Sequence, residues 1–222
     1  MKILIGLPAY NEEKVIGKVI AEIKKRKQYD ILVVDDGSGD KTAAVAKRAR
    51  VFVVSHFKNQ GLGVSIQTAL KFAKKNKYDV LVTFDSDGQH DARDIDRVVR
   101  PILASHVDIC VGVRDLARKE VPTLRKLILW GSNIFTFLLF GIYSSDSQSG
   151  FRAFSRRAIE TLELKTARME VSSEIFAEVK KKKLRYAEVP IRVIYTPYSL
   201  AKGQKNSNMF RVAWKLMIKL FR

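Results

Sequence analysis

Val80-Leu-Val-Thr-Phe-Asp85-Ser-Asp87-Gly-Gln89-His90 decides the fold of this chain. An apolar, β-branched run ends abruptly in two carboxylates one residue apart. A strand buried on both faces has this pattern. Acids placed directly after it stand at its carboxyl end, where open α/β sheets bind their ligands. Two hard oxygen donors there suit a divalent cation, Mg2+ or Mn2+, which typically arrives with a substrate diphosphate. The pattern recurs on either side. Ile3–Leu7, Ile31–Val34, Val51–Val54 and Ile109–Val113 also read as strands, and amphipathic segments near 12–27, 41–49, 62–76 and 93–104 lie between them. The alternation predicts an α/β fold with a mostly parallel sheet flanked by helices.

The chain has 222 residues and a formal charge of +18. That length suits one domain with a C-terminal extension, and that charge seeks anions: nucleic acid, an anionic membrane surface or a phosphorylated substrate. The single cysteine, Cys110, excludes an internal disulfide framework and fits a reducing compartment. The apolar run in Met1–Pro8 is too short for a signal peptide. After Arg114 the pattern changes. Leu124–Tyr143 is rich in Leu, Ile, Phe and Trp, but Leu127–Tyr143 is short for a membrane span and interrupted by Gly131-Ser-Asn133, so a buried or interfacial helix is expected. Ile191–Ile194, between Pro190 and Pro197, reads as a late strand at an edge or one that ends early. Met209–Phe221 reads as a helix. The basic runs Lys24–Lys27 and Lys180–Lys183 read as solvated helix faces.

Four sites follow predicted strand ends. Pro8-Ala-Tyr10-Asn-Glu12-Glu13 offers a ring to stack on a base and an acid to accept from base or ribose; helix-start acids are the plain alternative. Asp35-Asp36-Gly-Ser-Gly-Asp40-Lys-Thr42 places acids where a nucleotide sugar or base binds, or forms a glycine turn with Asp40 as a cap. It is no phosphate-binding loop, because Asp40 stands where a glycine should precede the lysine. Asp85-Ser-Asp87 is the third, with Gln89 as a further neutral oxygen donor and His90 beside the metal shell. It is no EF-hand loop, since His90 and Asp96 occupy the positions that need Gly and Glu. In the fourth, Ser145-Asp146-Ser-Gln-Ser149-Gly-Phe-Arg152, Asp146 could orient or deprotonate an acceptor and Arg152 could bind a phosphate; a polar loop entering a strand is the alternative. Asn59-Gln-Gly61-Leu-Gly63 either lets backbone approach a phosphate or simply enters a helix.

Pro8-Ala-Tyr-Asn-Glu12, Val33-Val-Asp-Asp-Gly-Ser38, Asn59-Gln-Gly-Leu-Gly63, Asp85-Ser-Asp87 with Gln89, and Ser149-Gly-Phe-Arg152 occur in order along nearly the whole chain. As a set they resemble the family 2 glycosyltransferases of GT-A fold, and most closely the dolichol-phosphate mannose synthase and polyprenyl-phosphate hexosyltransferase group. The resemblance implies a catalytic domain over 1–200 and a C-terminal loop and helix over 201–222. It implies that Pro8, Tyr10, Glu12, Asp36, Asp85 and Ser86 bind the nucleotide sugar, and that Asp85, Asp87 and Gln89 hold Mg2+ or Mn2+. Arg114, Arg125 and Lys205 (or Lys202) would bind the acceptor phosphate and the diphosphate, with Asp87, Asp146 and Arg152 catalytic. The implied reaction is a single inverting displacement from a GDP- or UDP-linked sugar onto a dolichyl or polyprenyl phosphate. Leu129 replaces the serine usual in mannose synthases, and Ser86 and Gly88 differ from their metal motif. Mannose, glucose and N-acetylglucosamine therefore all stand open.

The residues also speak for a lipid acceptor. Arg211, Lys215 and Lys219 recur every four residues, with Phe210, Trp214, Leu216, Met217, Leu220 and Phe221 over much of the remainder. Such a helix suits the surface of an anionic membrane, which places the enzyme peripherally on the cytoplasmic face; a packed helix with lysines facing water is the alternative. Three competing functions are a transferase for a soluble glycan or protein, a sugar nucleotidyltransferase and a nucleic-acid-binding module. The nucleotidyltransferase should carry a glycine-rich basic loop after strand one, where Pro-Ala-Tyr-Asn-Glu stands. Nucleic acid is not the expected partner, because no binding motif is present and aromatics do not interleave with the basic runs.

Overall fold

The structure is a computed structural model that describes residues 1–26, 29–114 and 141–194, together with 131, 133, 134 and 137. The expected strands are present as β1 (Ile3–Ala9), β2 (Asp30–Asp35), β3 (Phe52–Ser55), β4 (Val80–Thr83) and β5 (Ile109–Arg114). Two more complete the described sheet, β6 (Arg152–Ser155) and β7 (Tyr186–Ile191), in the order β3-β2-β1-β4-β6-β5-β7. All pairings are parallel except those of β6, which runs antiparallel to both β4 and β5. Every residue of β4 is buried, which explains its unbroken apolar sequence.

Helices cover both faces of the sheet. On one lie α1 (Ile16–Lys24), α2 (Thr42–Arg48) and α4 (Ile95–Leu103); on the other lie α3 (Leu62–Lys75), α5 (Arg156–Thr161) and α6 (Val171–Lys181). In α1 the buried residues are Ile16, Val19, Ile20 and Ile23, and in α4 they are Ile95, Val98, Val99 and Ile102. Both sets follow the i, i+3, i+4, i+7 spacing that turns one stripe of a helix toward a sheet. Lys180 and Lys181 close α6.

The late strand begins and ends earlier than the Ile191–Ile194 expectation. Pro190 lies inside β7, which sits at the sheet's edge, where a missing N–H costs no ladder bond. Among the described residues beyond β7, Val193 forms a single isolated bridge, to His90. No helix among the described residues is long and apolar enough to cross a membrane. Most of Leu124–Tyr143, all of 201–222 and therefore the Arg125, Leu129, Lys202, Lys205 and C-terminal helix assignments lie outside the described residues.

The chain lays β1, β2 and β3 outward in one direction, then returns to place β4 on the other side of β1. The strand order thus reverses between β1 and β4. Loops that leave the two strands part there and open a crevice, the usual ligand position of such sheets. Tyr10–Glu13 follows β1 and Asp85–His90 follows β4.

Candidate active site at the ends of β1 and β4

The loops after β1 and β2 are stitched together. The backbone N–H of Asn11 donates to Ser38 Oγ (2.9 Å), that of Glu12 to Thr42 Oγ1 (2.8 Å) and that of Glu13 to Asp40 Oδ2 (3.1 Å). In return Gly39 N–H donates to Asn11 Oδ1 (2.9 Å) and Lys41 N–H to Glu13 Oε2 (3.0 Å). Asp40 also caps the start of α2 by accepting from Thr42 N–H at 2.9 Å. From this fixed platform Tyr10 projects at 45% exposure, whereas Glu12 is buried. Pro8 pairs with Val34 in the sheet, and its carbonyl accepts from Ser86 Oγ at 2.7 Å. Ser86 therefore ties the turn after β4 to β1 and is itself buried.

Asp36, expected beside the nucleotide, is engaged by protein partners. Its carboxylate pairs with His56 Nδ1 (2.7 Å) and accepts from the backbone N–H groups of Gln60 (3.0 Å) and Gly61 (2.7 Å). It is buried and directed into the 56–61 turn. Gly61, in that turn, and Gly63, in the first turn of α3, admit the close approach of protein backbone. A Cβ on Gly61 would stand 2.5 Å from the carbonyl oxygen of Ala167, and one on Gly63 would stand 2.1 Å from that of Thr166.

At the metal motif, Asp85 Oδ2 lies 2.8 Å from His90 Nε2, and Gln89 N–H donates to Asp87 Oδ1 at 3.0 Å. The two carboxylates differ electrostatically. Burial works to raise the pKa of Asp85, but the charge and hydrogen bond of His90, then Arg114 and Arg152, hold it below the usual range. Asp87 is pushed up, first by burial and then by the charge of Asp85, with Glu12 adding to it. Glu12, Asp85 and Asp87 thus share one negative field. A groove of about 540 Å3 opens beside Asp87, against Val15 and Val19 of α1 and flanked by Lys14, Lys18 and Arg93.

The fourth site joins this field from the other side. Asp146, 0% exposed, grips Arg114: its Oδ2 accepts from Nε (2.5 Å) and from the backbone N–H (3.2 Å), and its Oδ1 from Nη2 (2.7 Å). Two residues expected to act separately on an acceptor are one bidentate pair. The loop around Asp146 is caged as well. Asn133 Nδ2 donates to Ser145 O (2.7 Å), Ser147 N–H to Asn133 Oδ1 (3.0 Å), Ser145 N–H to Glu188 Oε1 (3.0 Å) and Ser149 Oγ to Gly112 O (2.5 Å). Arg152, which the sequence offers as a phosphate ligand, lies inside the protein. It is 1% exposed, its Nη2 donates to Ser147 O (3.0 Å) and burial lowers its pKa to about 10 against the opposing pull of Tyr186, Asp85 and Asp146. It is a buried counter-charge between two carboxylates. Sequence reasoning missed Asn133, His56, Tyr186 and Glu188, because the bonds that tie them to the site span 12 to 43 residues.

The sequence model described as "Glycosyl transferase family 2" matches residues 4–163. This chain belongs to glycosyl transferase family 2. The UDP-N-acetylglucosamine–dolichyl-phosphate N-acetylglucosaminyltransferase of Methanococcus voltae is 37% identical over 97% of this chain and 95% of its own length. The dolichol-phosphate mannosyltransferase of Pyrococcus furiosus is 29% identical, over 86% of this chain and 56% of its own length. Among solved structures, glucosyl-3-phosphoglycerate synthase of Mycobacterium tuberculosis, crystallised with Mn2+, UDP and phosphoglyceric acid, superposes with a TM-score of 0.73 at 19% identity, covering 96% of this chain and 78% of its own. Mannosyl-3-phosphoglycerate synthase of Rubrobacter xylanophilus gives 0.74 at 17% identity, covering 100% and 73%. The fold is GT-A, the chain is a glycosyltransferase, and the nucleotidyltransferase and nucleic-acid readings fall away.

Among the described residues no three His, Cys, Asp or Glu side chains gather as a closed metal cage. The paired carboxylates, with Asp87 destabilised as an anion by its neighbours, fit a divalent cation on the chemistry of the donor set.

Proposed function

We propose that this enzyme transfers a hexose from a nucleotide sugar to a dolichyl or polyprenyl phosphate, with inversion, using Mg2+ or Mn2+ held by Asp85 and Asp87, with Gln89 adding a neutral oxygen. The observation that carries the site is the carboxylate pair at the point where the strand order reverses, facing the Arg114–Asp146 pair. The acceptor rests on the near full-length likeness to the M. voltae enzyme. That likeness also makes UDP-N-acetylglucosamine the first donor to test, ahead of GDP-mannose and UDP-glucose.

Tyr10 stacks on the base, and the loops after β1 and β2 fix the nucleoside end through their mutual hydrogen bonds. A bound divalent cation supplies neutralisation of the charge that develops on the leaving nucleoside diphosphate. Arg114, oriented by Asp146, holds the acceptor phosphate behind the anomeric carbon, with Arg125 and Lys205 in the roles the family resemblance implies. A phosphate oxygen forms the new bond to that carbon as its bond to the diphosphate breaks. The acceptor phosphate is largely ionised near neutral pH, its second pKa being about 6, so no strong base is required. The enzyme works peripherally at the cytoplasmic membrane face, where the basic and apolar sequence of 209–221 meets anionic lipid.

The test is a donor panel with Mn2+ or Mg2+ and a short polyprenyl phosphate, products being weighed by mass spectrometry. A glycosylated lipid phosphate from one donor, lost in Asp85→Ala and Asp87→Ala, is expected. Lipid left unmodified by every donor, or metal-dependent transfer intact in both variants, would refute the assignment.

A further inference from the structure

We propose that Gly150, Phe151 and His90 form a clamp that sets the Asp85 carboxylate for its cation, with His90 as a positioning residue. This rests on the metal assignment above. It gives Ser149-Gly-Phe-Arg152 a metal-side task in place of an acceptor-side one.

The Asp85 side chain is 39% exposed, so solvent alone would leave it free to rotate. It is held from two directions. On one, Oδ2 meets His90 Nε2 at 2.8 Å, and the imidazole is 4% exposed. That ring packs against Phe84 at 5.5 Å and Phe151 at 5.2 Å, which pack against each other at 5.0 Å. The backbone behind it is fixed by the Val193 bridge to His90 and by Ile194 N–H donating to Gln89 O at 2.8 Å. His90 Nδ1 is buried without a hydrogen-bond partner. Nε2 is the ring nitrogen that reaches the carboxylate, which can only accept, so it is Nε2 that donates to Asp85.

On the other side stands Gly150. A Cβ there would lie 2.2 Å from Asp85 Oδ1 and 2.7 Å from Cγ, so the Asp85 carboxylate would have to leave its position. Gly150 is not among the positive-φ glycines, so the chain does not need glycine there for its backbone. The requirement is space, and the occupant of that space is the Asp85 carboxylate. The backbone on this side is held in place: Thr83 Oγ1 donates to Gly150 O at 2.8 Å, and Gly112 N–H donates to Phe151 O at 2.8 Å. Groups that orient a ligating side chain typically carry 10–100-fold in metal affinity.

Two measurements decide it. The first is a stability cycle in EDTA by thermal melting, with Gly150→Ala, Asp85→Ala and the double variant. Overpacking predicts that Gly150→Ala lowers the midpoint by roughly 3–10 °C in the wild-type background, and that this loss disappears in the Asp85→Ala background. An equal loss in both backgrounds overturns the clamp. The second is Mn2+ affinity by electron paramagnetic resonance of the free ion. His90→Phe keeps the aromatic packing and removes the donor; it should melt near wild type and bind Mn2+ roughly 10–100-fold more weakly, with partial recovery in His90→Gln. Wild-type affinity in folded His90→Phe overturns the positioning role. A wild-type protein that binds no Mn2+ overturns the metal assignment, and the EDTA cycle then judges the clamp alone.

Discussion

Asp146→Asn separates two tasks for the acceptor-side acid. Asp146 is 0% exposed and receives three N–H groups of Arg114, at 2.5, 2.7 and 3.2 Å. The Arg114 side chain is itself 13% exposed, so water cannot replace the lost carboxylate. Removing one member of a buried charge pair costs about 3–5 kcal/mol. The amide retains one acceptor oxygen but turns an NH2 toward a guanidinium, which places the cost near the lower figure, about 3 kcal/mol. For a chain of this size each kcal/mol moves the midpoint by about 2–4 °C, so the expected fall is about 6–12 °C. Calorimetry reads it directly. Steady-state kinetics should show acceptor KM rising while donor KM holds, because Arg114 loses its orientation. Arg114→Met should cost a similar amount, and the double variant less than the sum of the two. A midpoint within about 2 °C of wild type, joined to a collapse of kcat, would refute this account and mark Asp146 as a general base.

Two further outcomes follow from buried groups away from the site. Burial works to raise the pKa of Asp108, but hydrogen bonds from the Arg185 side chain and backbone, with the charges of Arg185 and Arg157, hold it below the usual range. A depressed folded value adds stability above the unfolded pKa, about 3.9, that is lost as pH falls through the folded one. Asp108→Asn should therefore melt below wild type at pH 7, with the gap closing in melts taken below about pH 3.9; a gap independent of pH would contradict the ion-pair account. Burial, aided by the charge of Glu188, pushes the Cys110 thiol up to about 12. Native protein at pH 8 should resist iodoacetamide and react only as fast as it unfolds, since the thiolate is the reactive form; rapid labelling of folded protein would contradict its burial.

The first half of the fold was legible because the inner strands, buried on both faces, leave unbroken apolar runs, and the edge strand β3 keeps a short β-branched one. Strands β1 to β5 all stand where those runs lie. β6 was not legible, for it has four residues and begins with an arginine. Arginine at such a point reads as a surface grip on phosphate. Only tertiary structure reveals that Asp85, Asp146 and Tyr186 surround Arg152 and make its burial tolerable. The protein partners of Asp36 were hidden for the same kind of reason. Strand-end position predicts a ligand, yet its carboxylate is taken by His56 and by two backbone N–H groups of a turn some twenty-four residues on. The Gly61 and Gly63 pair illustrates the ambiguity of spacing: it shows that something approaches closely, not whether that is a phosphate or the 166–167 backbone.

The two acids of Asp85-Ser-Asp87 look equivalent in sequence and are made unequal by the fold. Asp85 meets a histidine on one oxygen and two arginines beyond it, so its charge is compensated before any cation arrives. Asp87 sits in the field of Asp85 and Glu12 with one backbone N–H in support, so its charge is opposed. Environment alone thus assigns different work to neighbouring carboxylates. Under the proposed assignment, Asp85 is the fixed anchor and Asp87 the acid whose ionisation a divalent cation relieves. Loss of Asp87 should then weaken cation binding while leaving the resting fold intact or slightly more stable. Loss of Asp85 should instead strip His90 and Arg152 of their shared partner and cost stability even with no cation present.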